Sequence, residues 1–266
     1  MKKLIAVISC MFLVSACSTA AETKPQSTEV QNEAKGNYTD EMKIDYAVDL
    51  SQEDGADSVE REGDHPGTPY FNQLDFYNME SNDTLTILPK FKTMQQTSEW
   101  SCGVTASLMV MNYFGRLNEY NEETLAMMRT NELTPEATSL ASIEKIFDEV
   151  GGFDTISTFD YADRMEEISL TFIEDTLKEG YPLIIAWNDW GGHWQVIIGY
   201  DNMGTETQQD DVIIVADSYD TTDHNQDGYG IYPAERFFYN WTMYDFFENM
   251  DVENERDCLF LIAQPK

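Results

Sequence analysis

The sequence predicts an α+β domain in which a helical half packs against an antiparallel sheet. Two observations carry this reading. Runs with helical spacing of apolar residues fill the stretch from Cys102 to Glu179, and short β-rich runs then take over from Pro182 to Ala263. Composition agrees: 42% apolar residues, with 12% aromatics, supply enough material for a buried core in a chain of 266 residues.

The elements follow in order. Cys102 to Arg116 places Val104, Leu108, Met111 and Tyr113 at near-helical spacing, and Gly115 is a plausible stop. Glu122 to Thr130 and Ser139 to Val150 are amphipathic helices, the second closed by Gly151-Gly152. Ile168 to Glu179 forms a fourth, ended by Gly180. Pro182 to Trp187, Trp194 to Tyr200, Val212 to Ala216 and Cys258 to Ala263 are then short strands. The aromatic run Phe237-Phe238-Tyr239-Asn240-Trp241 belongs to the core, and no internal repeat is present.

Ahead of this unit the chain changes character. From Ser18 to about Asp83 it is rich in Asp, Glu, Ser, Thr, Gln and Asn, as a solvated tether would be, although Thr68 to Tyr77 carries aromatics enough for a short arm on the domain. A prosegment covering the cleft is the alternative to a plain spacer. The first residues, Met1-Lys2-Lys3 and the apolar run Leu4 to Val14, have the form of an export signal too short for a comfortable membrane span. Val14-Ser15-Ala16-Cys17 resembles the lipobox of bacterial lipoproteins, in which the Cys is acylated and becomes the mature N-terminus. An ordinary secretory signal is the alternative. The expected organisation is therefore a lipoprotein signal at 1–17, an acidic flexible tether at 18–83 and a folded domain at 84–266, held at a membrane by lipid on Cys17 and facing away from the cytoplasm. With 49 acidic and 16 basic residues, a formal charge of −33 argues against nucleic acid as a partner.

Cys10 leaves with the signal and Cys17 carries lipid, so Cys102 and Cys258 remain in the folded part. Outside the cytoplasm a lone thiol is a liability unless buried or used. Cys258 lies in an apolar strand and reads as inert packing, whereas Cys102 stands at a helix start before Gly103, where the helix dipole favours a thiolate. A Cys102–Cys258 disulfide is the competing reading. A thiol nucleophile needs a base, and of the three His residues His65 falls in the tether and His224 in an Asp-rich loop, leaving His193 at the opening of a strand. Asp217, ending the next strand, is placed to accept the Nδ1 proton of that base. Gln96, six positions before Cys102, can fold back so that its amide joins the Cys102 backbone N–H in an oxyanion hole, with Gln95 as its rival.

Gln96, five residues, Cys102-Gly103, then Gly192-His193-Trp194-x-Val196-Ile197-x-Gly199-Tyr200-Asp201 and the strand-ending Asp217 resemble the bacteriocin-processing cysteine peptidases of the papain-like superfamily, over roughly Leu88 to Pro265. The resemblance implies a papain-like α+β fold with Cys102 as nucleophile, His193 as base, Asp217 as its orienter and Gln96 as oxyanion donor. It implies hydrolysis of peptide or amide bonds in a peptide or protein substrate, with no cofactor. Family members fused to transporters cleave leader peptides after double glycine, a substrate that is not carried over to this chain. Acyl transfer by the same machinery and a silent cell-surface binding module are the alternatives.

Two features stand apart. Asp223-His224-Asn225-Gln226-Asp227-Gly228 begins like an EF-hand calcium loop at Asp223, Asn225 and Asp227, but Ala234 occupies position twelve, so an Asn/Asp/Gly turn competes with a metal site. Trp187, Trp190 and Trp194 surround the proposed base and either line a cleft or pack a sheet edge.

Overall fold

A computed structural model describes residues 41–45, 47–59, 74–221, 226–243 and 257–266. Four helices, α1 (Cys102–Tyr113), α2 (Glu122–Thr130), α3 (Leu140–Val150) and α4 (Leu170–Lys178), lie where helical spacing placed them. The strands β3 (Leu183–Trp187), β4 (His193–Asp201), β5 (Val212–Ala216) and β7 (Leu259–Pro265) agree with the four β-rich runs. Local chemistry sets the helix starts: the side chains of Asn121, Ser139 and Ser169 each cap a first turn by accepting a backbone N–H. Gly180, at φ +90°, supplies the left-handed turn that leads from α4 into β3.

Three strands and a helix escape the sequence patterns. β1 (Leu85–Ile87) has only three residues, β2 (Phe153–Ser157) mixes polar and apolar residues, and β6 (Tyr229–Pro233) contains Gly230 and ends on proline. The aromatic run read as core lies within a helix, α5 (Ala234–Met243), which buries Phe237 and Trp241. Aromatic and β-branched residues favour strands only weakly, and packing decides between the two forms.

Every pairing among these strands is antiparallel, in one sheet ordered β2-β7-β3-β4-β5-β6, with β1 also paired to β4. β3 is buried along its whole length and β4 along all but its last residue, so both faces of the central sheet are covered. α1 is buried from Cys102 through Met111, Thr105 and Ser107 included, which makes it a central helix rather than an amphipathic one. Its approach to β4 is close: a Cβ on Gly103 would lie 2.9 Å from Thr138 Cβ and 3.1 Å from Trp194 Cδ1. Glycine at this position is what lets the helix start reach the sheet.

The expectation of a flexible tether at 18–83 needs correction over its described part. Met42, Ile44 and Ala56 are buried in the core, and so are Phe76 and Tyr77, which lie in the stretch expected to form a short arm on the domain. Residues 42–44 run beside Thr93, with Thr93 N–H donating to the Met42 carbonyl (3.0 Å) and Ile44 N–H to the Thr93 carbonyl (2.7 Å). Further on, Leu50 N–H donates to Thr97 Oγ1 (3.0 Å) and Asp57 N–H to the Gln96 carbonyl (3.5 Å). Averaged composition hid a few apolar residues that are spaced to bury themselves.

Candidate active site

Cys102 is the first residue of α1. The preceding Ser101 does not cap the helix with its side chain; its hydroxyl donates to Glu122 Oε1 (2.8 Å) instead. The first turn therefore keeps its N–H groups for the sulfur, and the backbone amides of Gly103 and Trp194 both hydrogen-bond to it. His193 is the first residue of β4, and β5 lies antiparallel beside it with Ala216 opposite Val196. One step further along, Asp217 brings its Oδ1 to 2.6 Å from His193 Nε2. Three groups drawn from α1, β4 and the end of β5 thus meet in one buried cluster, with Cys102 hydrogen-bonded to His193.

One detail differs from the sequence expectation. Asp217 meets Nε2 rather than Nδ1 of the imidazole, which leaves Nδ1 as the nitrogen on the thiol side. The direction in which the ring projects from the start of its strand decides this, and sequence carries no record of it.

The electrostatics follow from the contacts. Burial pushes the Cys102 thiol up, but its hydrogen bond to His193, the imidazolium charge and the two backbone amides outweigh burial and hold it below the ordinary thiol value. Burial lowers the His193 pKa, yet the charge and hydrogen bond of Asp217, aided by Cys102, raise it to about 10. Asp217 is likewise held below the usual carboxylate range: burial opposes its charge, and His193, the Tyr219 backbone N–H (2.7 Å to Oδ1) and the Gln195 amide (2.7 Å to Oδ2) overcome burial. With the thiol held below its ordinary value and the imidazole above its own, the pair favours a thiolate facing an imidazolium over the two neutral groups.

Gln96 is buried at the foot of the same loop. Its Oε1 accepts from Ser218 Oγ (2.8 Å), and its Nε2 donates one hydrogen to the Ser98 carbonyl (2.7 Å). Gln95 turns the other way, donating to the Asp217 carbonyl (3.1 Å) and accepting from Asp220 N–H (3.2 Å). Cys258 stands just before β7, buried, and both it and Cys102 are free thiols, so the alternative of a bridge between them is set aside. Trp187 and Trp194 are buried, and Trp190 alone of the three is exposed, its ring 5.3 Å from that of Tyr219 beside His193.

Asp227 is buried, its Oδ1 accepting from Tyr229 N–H (3.0 Å). Asp223 and Asn225 lie outside the described residues, as do Cys17, His65 and His224. Among the described residues no group of three or more His, Cys, Asp or Glu is arranged to hold a metal ion.

Several participants went unnoticed in the sequence. Glu122 is buried and accepts from Thr97 N–H (3.1 Å), Thr97 Oγ1 (2.8 Å), Ser101 Oγ (2.8 Å) and Thr105 Oγ1 (3.1 Å), tying the loop before Cys102 to α2. Arg129, also on α2, donates to the carbonyls of Thr134 and Glu136 and lies 4.9 Å from the Trp100 ring centroid, fixing the segment that packs against Gly103. Gln195 contacts Asp217 directly, and a signal for it existed: it is the one polar side chain in Trp194-Gln195-Val196-Ile197-Ile198.

A thiol at a buried helix start, facing an imidazole that opens a strand of an antiparallel sheet, is the arrangement of the papain-like fold. The chain belongs to the Peptidase_C39-like family: the model described as "Peptidase_C39 like family" matches residues 68–247. Two similar solved structures are a protein assigned as a C39-like peptidase from Bacillus anthracis (14% identity, TM-score 0.48, covering 69% of this chain and 99% of that one) and UfSP from C. elegans (16%, 0.41, 72% and 36%). No curated protein gives a significant sequence match.

Proposed function

We propose that this protein is an extracytoplasmic cysteine peptidase that hydrolyses peptide or amide bonds through a thiolate acyl-enzyme. The observation that carries this reading is the placement of His193 between Cys102 and Asp217. The Cys102 thiolate attacks the carbonyl carbon, and the second N–H of Gln96 with the Cys102 backbone N–H receives the negative oxygen of the tetrahedral intermediate. His193 gives its proton to the leaving amine. Water then enters, His193 takes a proton from it, and the acid product departs with the thiolate restored. Family membership supports the same reaction class and a peptide or protein substrate.

Incubating the protein with a peptide library and weighing the products tests the reaction. Wild type should yield fragments that have gained one water, and Cys102→Ala none; an intact library after wild-type treatment would discard the peptidase reading. Fragments that capture an added amine in preference to water would make it an acyltransferase.

The location rests on Cys17 and its lipobox-like surroundings. Cells fed labelled fatty acid should label the wild-type protein and leave Cys17→Ser unlabelled, and equal labelling of both would remove the anchor.

A further inference from the structure

We propose that Gln195 is a positioning residue of this site, holding the Asp217 carboxylate against His193 through an amide whose orientation Trp187 dictates. The inference rests on the catalytic reading above and adds a component to it.

Gln195 is fully buried two residues beyond His193 on β4, so both side chains leave the same side of the strand. The indole Nε1–H of Trp187, which can only donate, lies 2.7 Å from Gln195 Oε1. That contact fixes which end of the amide is oxygen. The NH₂ must then face the acidic side, where Nε2 lies 2.7 Å from Asp217 Oδ2, 3.1 Å from Asp189 Oδ2 and 3.2 Å from the Tyr232 hydroxyl. One hydrogen goes to Asp217 and the other is shared by Asp189 and Tyr232, while the Tyr232 hydroxyl donates to Asp189 Oδ2 (2.9 Å). The ring of Tyr232 meets that of Trp187 edge-on at 4.9 Å, closing the back of the network.

The titratable groups around this amide come from every neighbouring element. They are His193 on β4, Asp189 in the turn before it, Asp217 and Tyr219 after β5, Tyr232 on β6 and, across the imidazole, Cys102 on α1. Burial and the charge of Asp217 push the Asp189 carboxyl up. A donor on Asp217 favours its ionised form, and an anionic, correctly aimed Asp217 favours the imidazolium that in turn favours the thiolate. Without the donor, the His193 pKa should fall from about 10 and that of Cys102 should rise. The pH window in which thiolate and imidazolium coexist should narrow from both sides.

The test is the alkylation rate of Cys102 by iodoacetamide across pH, which reads the acid limb set by the thiol, with kcat and KM on a cleaved library peptide across pH, which add the alkaline limb set by the imidazolium. Gln195→Leu keeps the size and removes the donor, and Tyr232→Phe removes only the hydroxyl behind Asp189. In Gln195→Leu the acid limb should move up and the alkaline limb down by about one pH unit each, and kcat should fall about tenfold with KM changed less than about threefold. Tyr232→Phe should move both limbs the same way by less. A folded Gln195→Leu with unmoved limbs overturns the proposal. Should that variant fail to fold, unmoved limbs in Tyr232→Phe overturn it equally. A wild type whose alkylation follows one ordinary thiol ionisation sinks the catalytic reading itself, which is a different failure.

Discussion

Replacing His193 with alanine should cut peptide turnover by about 10⁶-fold, the scale of losing the base from a nucleophile–base pair, and confine alkylation of Cys102 to alkaline pH. The cause is local. Once the imidazolium is gone, burial of the sulfur is opposed only by the Gly103 and Trp194 amides, and its pKa rises. Iodoacetamide labelling against pH reads this directly: rapid labelling of wild type at mildly acidic pH, lost in His193→Ala, is the expected contrast, and equal profiles would refute it. Stability should respond in a defined window as well. The folded-state pKa of His193 is raised from 6.5 to about 10, so its contribution is fully present below pH 6.5 and is lost as pH climbs through about 10. Thermal unfolding of wild type should lose that stabilisation across this interval, and the variant should not.

Glu122→Ala should cost about 3 kcal/mol of folding free energy. Four donors converge on this carboxylate, and three are hydroxyls that can rotate; Ser101 Oγ already also reaches the Ser98 carbonyl (3.1 Å). The backbone N–H of Thr97 cannot rotate and would be left buried without a partner. Glu122→Gln keeps one accepting oxygen and should cost much less. Burial raises the Glu122 pKa despite the donors from Thr97, Ser101 and Thr105. Its stabilising contribution is therefore present below 4.5 and declines as pH rises through the folded-state value, a slope that Glu122→Gln should flatten. Urea unfolding of the three proteins over a pH series measures both effects, and a Glu122→Ala midpoint equal to wild type would show that the carboxylate holds nothing.

Residues with strong local chemistry were legible in the sequence. Ser139 before an apolar helical run, Gly180 after one, and the β-rich stretches around Ile184, Ile197 and Val215 each announced an element through spacing that packing later respected. Cys102, His193 and Asp217 were legible because few other residues could fill their places, and the fold brings them together. β6 was illegible because Gly230 and Pro233 break a strand pattern, although a Cβ on Gly230 would come within 3.3 Å of Val215 Cγ2 on the neighbouring strand. Glu122 gave no sign because a glutamate opening a helix is ordinary, and only tertiary structure decides that this one faces inward. The ring nitrogen that meets Asp217 belongs to the same class of detail, set by a torsion angle that no spacing encodes.

The segment through Met42, Ile44 and Ala56 has a mechanical consequence. It is zipped to Thr93 and braced against Gln96 and Thr97, so the stretch of backbone that leads into Cys102 is splinted from upstream. A shortened protein starting at residue 84 would strip away that splint and bare the flank of the loop bearing Gln96. The working unit of this molecule includes Met42, Ile44 and Ala56, in a region whose composition resembles solvent-loving filler.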